Sequence, residues 1–157
     1  MNTEAATPVR EDSARLARGS SVRRSMRWAY VVASGILALA ILAQVFLAGG
    51  GMFAEPSWWP AHRMMGMLLS LGPLALLAVG FAARLPARTL WLNGLLLVLV
   101  VLQPVLISVA EQAQLPVLAS LHVVNAVVLF ALTAILGQQV WTHLMRTPAL
   151  AQAATRR

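Results

Sequence analysis

Cysteine is absent from this chain of 157 residues, and charged residues are scarce. Without cysteine there is no disulfide, no cysteine-ligated zinc, no iron–sulfur cluster and no thiol catalysis. Asp, Glu, Lys and Arg make up 11% of the chain, against roughly 25% in a typical soluble domain. Hydrophobic residues make up 59%, and the mean hydropathy is +0.75. This composition is typical of an integral membrane protein.

Charged residues divide the chain into four apolar segments, each close to the ~20 residues that a helix needs to cross a bilayer. The segments predict an all-α, integral membrane four-helix antiparallel bundle. The predicted helices are 28–49, 58–82, 89–110 and 116–142. No Asp or Glu lies inside these segments, which argues against a carboxylate-based proton or cation pump. A Gly-rich phosphate loop and a Ser-His-Asp grouping are also absent.

Lysine is absent as well, so the net charge of +7 comes from arginine. Every arginine except Arg63 falls on one side of the predicted bundle, together with both termini. Cytoplasmic loops carry the excess of basic residues in membrane proteins. The pattern predicts a multi-pass protein of the bacterial plasma membrane with both termini in the cytoplasm. The basic charge therefore indicates topology and not nucleic-acid binding.

Three domains follow from this reading. Residues 1–26 are expected to be a disordered basic cytoplasmic tail, because they lack the apolar density to build a core. Residues 27–143 form the four-helix transmembrane domain, and 144–157 form a second cytoplasmic tail. The basic arm is an orientation signal or, alternatively, binds anionic lipid or a partner. Gly49-Gly50-Gly51 is expected to be a flexible break before the second helix.

Two Gln–His pairs recur at matching places in the two halves of the chain. Gln44 and Gln103 lie late in the first and third segments, and His62 and His122 lie early in the second and fourth. All four side chains are expected at similar depth in the outer leaflet. Polar groups inside a bilayer are costly and usually mark function. The pattern indicates a parallel two-hairpin repeat, whose pseudo-two-fold axis places the histidines on opposite sides of the bundle centre.

Two histidines from two helices of a bundle are a common way to hold haem. His62 and His122 are the candidate axial ligands of a b-type haem. A ligating imidazole needs an acceptor for its other nitrogen, and the Gln side chains are candidates for that role or for contacts to the propionates. Arg63 is a candidate partner for a propionate. The predicted cofactor-binding residues are Gln44, Arg63, Gln103 and Asn125.

The same motifs resemble the haem A synthase family. His62-Arg63 followed by Gly66 resembles its "HR…G" motif, and Leu102-Gln103, Pro116 and Leu121-His122 resemble "LQ…P…LH". The resemblance covers residues 28–142, one four-helix half of that family, and implies that His62 and His122 are axial ligands. The family's carboxylate before the second-helix histidine, its outer-loop cysteines and its second half have no counterpart here. The chain also resembles uncharacterised small four-span bacterial membrane proteins.

Two main functions remain open from the sequence. The first is haem-based electron transfer to or from a quinone or a redox partner protein, with a homodimer restoring the eight-helix arrangement. The second is a small accessory or structural membrane subunit with no cofactor, in which the polar residues only hold helices together. A third reading is a carrier of a metal or small solute at the same site. Whether the chain is an enzyme is left open, and a non-enzymatic role is favoured.

Overall fold

The computed structural model describes residues 7–154, and their side chains over 15–146. It contains five α-helices: α1 (Thr7–Phe53), α2 (Trp59–Leu69), α3 (Leu71–Ala82), α4 (Ala87–Gln112) and α5 (Ala119–Ala154). Short 3₁₀ turns, Pro56–Trp58 and Pro116–Leu118, precede α2 and α5. Four stretches are long and apolar enough to span a membrane: Arg15–Phe53, Pro56–Ala82, Ala87–Gln112 and Pro116–Arg146. The chain is thus a multi-pass membrane protein.

The spans form a closed antiparallel bundle. Helix α1 packs against α5 on one side and against α2 and α3 on the other, while α4 packs between α3 and α5. The α2–α3 span therefore lies diagonally opposite α5. We call the end with the 3₁₀ turns the distal end, and the end with the 83–86 connection and both terminal extensions the terminal end. The four-helix bundle predicted from the sequence is confirmed.

Most apolar side chains of the spans lie on the outer surface of the bundle and not in its core. Only 11–17% of the residues in the most apolar stretch of each span are buried inside the bundle. The core is a narrow seam of aliphatic side chains around Tyr30, Leu76, Leu96 and Leu136. A surface so apolar would drive aggregation in water, whereas the helical backbone forms most of its hydrogen bonds within each span, as lipid requires. The arrangement suits a bilayer.

One buried polar network links three helices toward the terminal end of the bundle. The hydroxyl of Tyr30 on α1 donates to Oδ1 of Asn93 on α4 at 3.1 Å. The amide of Asn93 donates to the backbone carbonyl of Pro73 on α3 at 2.9 Å. Tyr30 and Asn93 are fully buried. Each donor finds an acceptor, so the network satisfies polar groups that lipid cannot.

The second span is not one continuous helix. It divides at Ser70 into α2 and α3. Pro73 has no N–H to donate to the carbonyl of Leu69, four residues earlier, so the helical hydrogen-bond pattern is interrupted there. The hydroxyl of Ser70 donates to the carbonyl of Met67 at 2.6 Å. Pro104, by contrast, lies inside a helix that continues from Ala87 to Gln112.

The prediction of disorder for residues 1–26 is corrected where the structure describes them, since α1 begins at Thr7. A helix already nucleated in the membrane extends one residue at a time without a new nucleation cost. Arg and Ala, which are common in the arm, favour helix. The second tail is helical as far as Ala154. Residues 1–6 and 155–157 of the two predicted tails lie outside the described residues.

The glycine run is helical and not a flexible break, which corrects a second prediction. Residues 49–51 belong to the last turns of α1. A Cβ atom built on Gly50 would lie 2.5 Å from the Trp58 ring, and one on Gly51 would lie 2.8 Å from the Trp59 ring. The missing side chains therefore make room for two indoles. Nothing lies within 4 Å of the same position on Gly49.

Candidate paired-histidine site

The distal turns of the two hairpins share one backbone hydrogen bond, although Gln114 has a positive φ of 54° and its counterpart Ala54 does not. In the first, the N–H of Glu55 donates to the carbonyl of Gly50 at 3.0 Å. In the second, the N–H of Leu115 donates to the carbonyl of Ala110 at 3.0 Å. A proline opens the 3₁₀ turn that follows in each case. Because Leu85 N–H makes the same bond to the Gly80 carbonyl in the 83–86 connection, the bond is not specific to the distal turns, and the internal repeat stays a prediction.

Each histidine lies one to two turns past its 3₁₀ turn, on α2 for His62 and on α5 for His122. Their rings meet across the bundle with centres 6.4 Å apart and planes inclined by 58°. Both side chains are half-buried. The structure therefore brings together the two residues that the sequence singled out, from helices that lie diagonally opposite one another.

A backbone carbonyl fixes the tautomer of each ring. Nδ1 of His62 lies 3.2 Å from the carbonyl oxygen of Gln44, and Nδ1 of His122 lies 3.0 Å from that of Gln103. A carbonyl oxygen only accepts hydrogen bonds, so Nδ1 carries the proton in both rings. In the neutral imidazole the lone pair is then on Nε2. This is the tautomer that leaves Nε2 to bind a metal while Nδ1–H is held by a second group.

The glutamine side chains have other partners. Nε2 of Gln44 donates to the backbone carbonyl of His62 at 2.9 Å and lies 3.3 Å from His62 Nε2. Oε1 of Gln103 accepts from the Asn125 amide at 3.0 Å, and that amide also donates to the Leu99 carbonyl at 2.8 Å. The expected second acceptor for each imidazole is therefore the backbone of the glutamine and not its side chain, because the helix carbonyl lies closer to Nδ1.

One polar atom of the site is unsatisfied. Oε1 of Gln44 is buried and has no hydrogen-bond partner. Gly66 on α2 lies against the same amide, since a Cβ atom there would be 3.0 Å from Gln44 Nε2. The side-chain amide of Gln44 thus packs between His62 and Gly66, and its oxygen receives no hydrogen bond. A buried unsatisfied acceptor costs about 1–3 kcal/mol and calls for an explanation.

Trp59 is a site residue that the sequence analysis did not identify. Its ring stands edge-on to the His62 ring with centres 5.5 Å apart. The bare backbone of Gly51 seats the indole in that place. The signal was present in the sequence as two adjacent glycines facing two adjacent tryptophans across a short turn. The sequence analysis interprets these glycines as a flexible break, since a sequence does not show which glycines lie under an aromatic ring.

The remaining predicted site residues differ in position. Asn125 is buried and joins the site through Gln103. Arg63 is exposed, one position beyond His62. Met64 and Met67 are exposed as well. No group of three or more His, Cys, Asp or Glu side chains that could hold a metal ion occurs within the described part of the chain. The donor set is thus two imidazoles, which suits a cofactor that brings its own equatorial ligands.

A family of unknown function, DUF6220, matches residues 44–110. The match begins at Gln44, includes His62 and Gln103, and ends before His122. No curated protein and no solved structure matches the chain. The resemblance to haem A synthases therefore receives no support from these comparisons. The fold and the site define a small multi-pass membrane protein with a paired-histidine centre at its distal end.

Proposed function

We propose that this protein holds a b-type haem between His62 and His122 and transfers electrons within the membrane. The observation that carries the proposal is the meeting of the two imidazoles, each with Nδ1–H on the carbonyl of a glutamine from its own hairpin. This geometry leaves two neutral Nε2 atoms, the ligand pair of a six-coordinate haem iron. A bound haem would supply one-electron redox chemistry at this position.

The separation of the rings supports the fit. Metal–imidazole bonds are about 2.0–2.1 Å long and the ring centre lies roughly 1 Å behind the nitrogen, so two imidazoles on one metal have centres about 6 Å apart. The observed distance is 6.4 Å. The chemistry of the donor set fits too, because both ligands are neutral and in the same tautomer. His62 Nε2 lies against the amide of Gln44, so binding requires that amide to turn aside.

The other side chains have roles that follow from their contacts. The carbonyls of Gln44 and Gln103 hold the imidazole planes and raise their basicity. Asn125 fixes Gln103 by bonding to it and to the Leu99 carbonyl. Arg63, exposed beside His62, is placed to pair with a propionate at the bundle surface. Trp59 covers the His62 ring from the distal turn and limits the access of water.

The cellular setting belongs to the same proposal. The arginine distribution supports an orientation with both termini in the cytoplasm of a bacterial cell, in which the distal end faces the outer side of the plasma membrane. A quinone or a redox partner protein supplies or takes the electron, and a homodimer brings two centres together. A reporter fused after the last residue would be active only on the cytoplasmic side. Activity of a periplasm-specific reporter at that point would contradict this orientation.

The visible spectrum of the detergent-purified protein, expressed with ample haem, tests the haem proposal. The oxidised and dithionite-reduced forms should show a sharp six-coordinate b-type spectrum. His62→Ala and His122→Ala should each lose it, while His143→Ala, the remaining histidine of the chain, should keep it because it lies at the terminal end. A colourless wild-type protein that fails to take up added haem would contradict the proposal.

The second candidate is a small accessory subunit without a cofactor. The observation that favours it is that the polar atoms of the site already bond to one another, since Gln44 contacts both the carbonyl and Nε2 of His62. Such bonds hold the helices of each hairpin together. In that case His62→Ala and His122→Ala would leave a colourless protein whose partner binding is unchanged, and only its free energy of unfolding would fall.

A further inference from the structure

An apolar groove runs along the outside of the bundle between α1 and α5. Its volume is about 310 Å³. Helix α1 contributes Val31, Ser34, Gly35 and Ala38, and helix α5 contributes Thr133, Ala134, Gly137, Gln138 and Trp141. A Cβ atom built on Gly35 would meet nothing within 4 Å, so the space above this glycine is open. In the bilayer this groove faces hydrocarbon.

Arg27 lies at the terminal end of the same helix face. The groove residues of α1 follow it at i+4, i+7, i+8 and i+11, the spacing of one helical face. From Arg27 to Ala38 the helix rises about 16 Å at 1.5 Å per residue. One leaflet of hydrocarbon is about half of the ~30 Å core. The groove and its arginine therefore match an acyl chain and its headgroup in length.

Among the side chains that the structure describes, Arg27 has no anionic partner. Its Nε atom is buried and has no hydrogen-bond partner. Between residues 15 and 146 the only carboxylates are Glu55 and Glu111, and both lie at the opposite, distal end. The arginines at the terminal end are Arg23, Arg24, Arg27, Arg84, Arg88 and Arg146. Within residues 15–146 this end of the bundle thus has several arginines and no carboxylate, which makes it attractive to an anion.

A pair of tryptophans marks the depth of this end. Trp28 of α1 and Trp141 of α5 stand edge to face with centres 5.1 Å apart. Indole rings prefer the boundary between hydrocarbon and headgroups. Trp28 is adjacent to Arg27 in sequence, and Trp141 lines the groove. The guanidinium is therefore at headgroup level, directly beyond the groove.

We infer that α1 and α5 form a site for one anionic phospholipid. An acyl chain occupies the groove over Gly35, and the headgroup phosphate binds the guanidinium of Arg27 and supplies the acceptor that Nε lacks. Arginine suits this role because its planar fork matches a phosphate bidentately. The site is separate from the histidine pair, which lies at the other end of the bundle, and it does not depend on haem.

Native mass spectrometry of the purified, delipidated full chain tests the inference. The probes are phosphatidylglycerol and phosphatidylcholine with identical acyl chains, and inorganic phosphate alone. The wild-type protein should retain one phosphatidylglycerol in preference to phosphatidylcholine. Arg27→Gln should lower that retention by about tenfold or more, because it removes a charge-assisted hydrogen bond, and should bring it to the phosphatidylcholine level.

Two matched controls separate this site from general charge and packing effects. Arg15→Gln removes the same charge from an exposed position on α1 and should leave the retention unchanged. Gly35→Leu fills the groove and should lower retention of both lipids, whereas Gly94→Leu, at an equally open glycine of α4, should not. Unfolding temperatures would verify that each variant is folded.

Three results would overturn the inference. Equal losses in Arg27→Gln and Arg15→Gln would show diffuse charge attraction and no site. Unchanged retention in Gly35→Leu would show that the acyl chain lies elsewhere. Inorganic phosphate that displaces phosphatidylglycerol at equal concentration would show that the arginine binds a free anion and that the groove contributes nothing.

Discussion

The imidazoles of His62 and His122 face one another across the bundle with their centres 6.4 Å apart, each anchored through Nδ1–H to a glutamine carbonyl. The two halves of the chain each contribute one histidine, four residues after a 3₁₀ turn. The two halves differ around the pair, where Gln44 bonds to His62 and Gln103 bonds to Asn125. The following predictions concern this centre and the packing that holds it.

In the haem proposal, the side-chain amide of Gln44 competes with the iron for His62 Nε2, which it contacts at 3.3 Å. Gln44→Leu removes the amide but keeps the backbone carbonyl that accepts from Nδ1. We expect this variant to bind added haem at least as tightly as the wild type, as measured by titration of the oxidised visible spectrum. A loss of haem as complete as in His62→Ala would contradict this, because it would show that the amide itself positions the ligand.

Gly66 and Gln44 should be energetically coupled. A Cβ at position 66 would lie 3.0 Å from Gln44 Nε2, so Gly66→Ala should push the amide off the His62 carbonyl. In a chain that already carries Gln44→Ala, the same substitution meets no amide. A double-mutant cycle of the free energy of unfolding in mixed micelles should give a coupling of about 0.5–1 kcal/mol. If the two free-energy changes are strictly additive, the Gln44 amide moves away from the new methyl group without losing stability.

The three adjacent glycines of α1 should respond differently to alanine. Gly51→Ala places a methyl group 2.8 Å from the Trp59 ring and should lower the free energy of unfolding by about 1–3 kcal/mol, the usual cost of overpacking. Gly49→Ala, where nothing lies within 4 Å, should be neutral or stabilising by up to about 1 kcal/mol. Equal changes in the free energy of unfolding at both positions would show that Gly51 is not needed to make room for the Trp59 ring.

The Tyr30–Asn93 network should contribute measurably to stability. Asn93→Ala leaves the buried Tyr30 hydroxyl without its acceptor and the Pro73 carbonyl without the amide. We expect a loss of about 1–2 kcal/mol in the free energy of unfolding, near the upper end for hydrogen bonds within membranes. Tyr30→Phe, combined with Asn93→Ala, should cost less than the sum of the two. An additive result would show that the bond does not contribute.

Much of the fold follows from local properties of the sequence. Apolar length and the positions of arginine predicted four spans, and the structure has four. The predicted starts and ends were less accurate. Pro73 divides the second span at Ser70, and α1 extends back to Thr7 beyond the expected start. Helix extension and interruption depend on hydrogen bonds between successive turns, which hydropathy alone does not report.

The sequence by itself determined that the chain spans a membrane and that polar side chains recur at one depth, because burial in lipid depends on local composition and each polar group there needs a partner. Only the tertiary structure decided which atoms meet. The backbone of Gln44, and not its amide, accepts from the Nδ1 of His62, and Gly51 seats Trp59 against that ring. Such contacts depend on the rotation and closeness of neighbouring helices, and these are set by side-chain packing between distant parts of the chain.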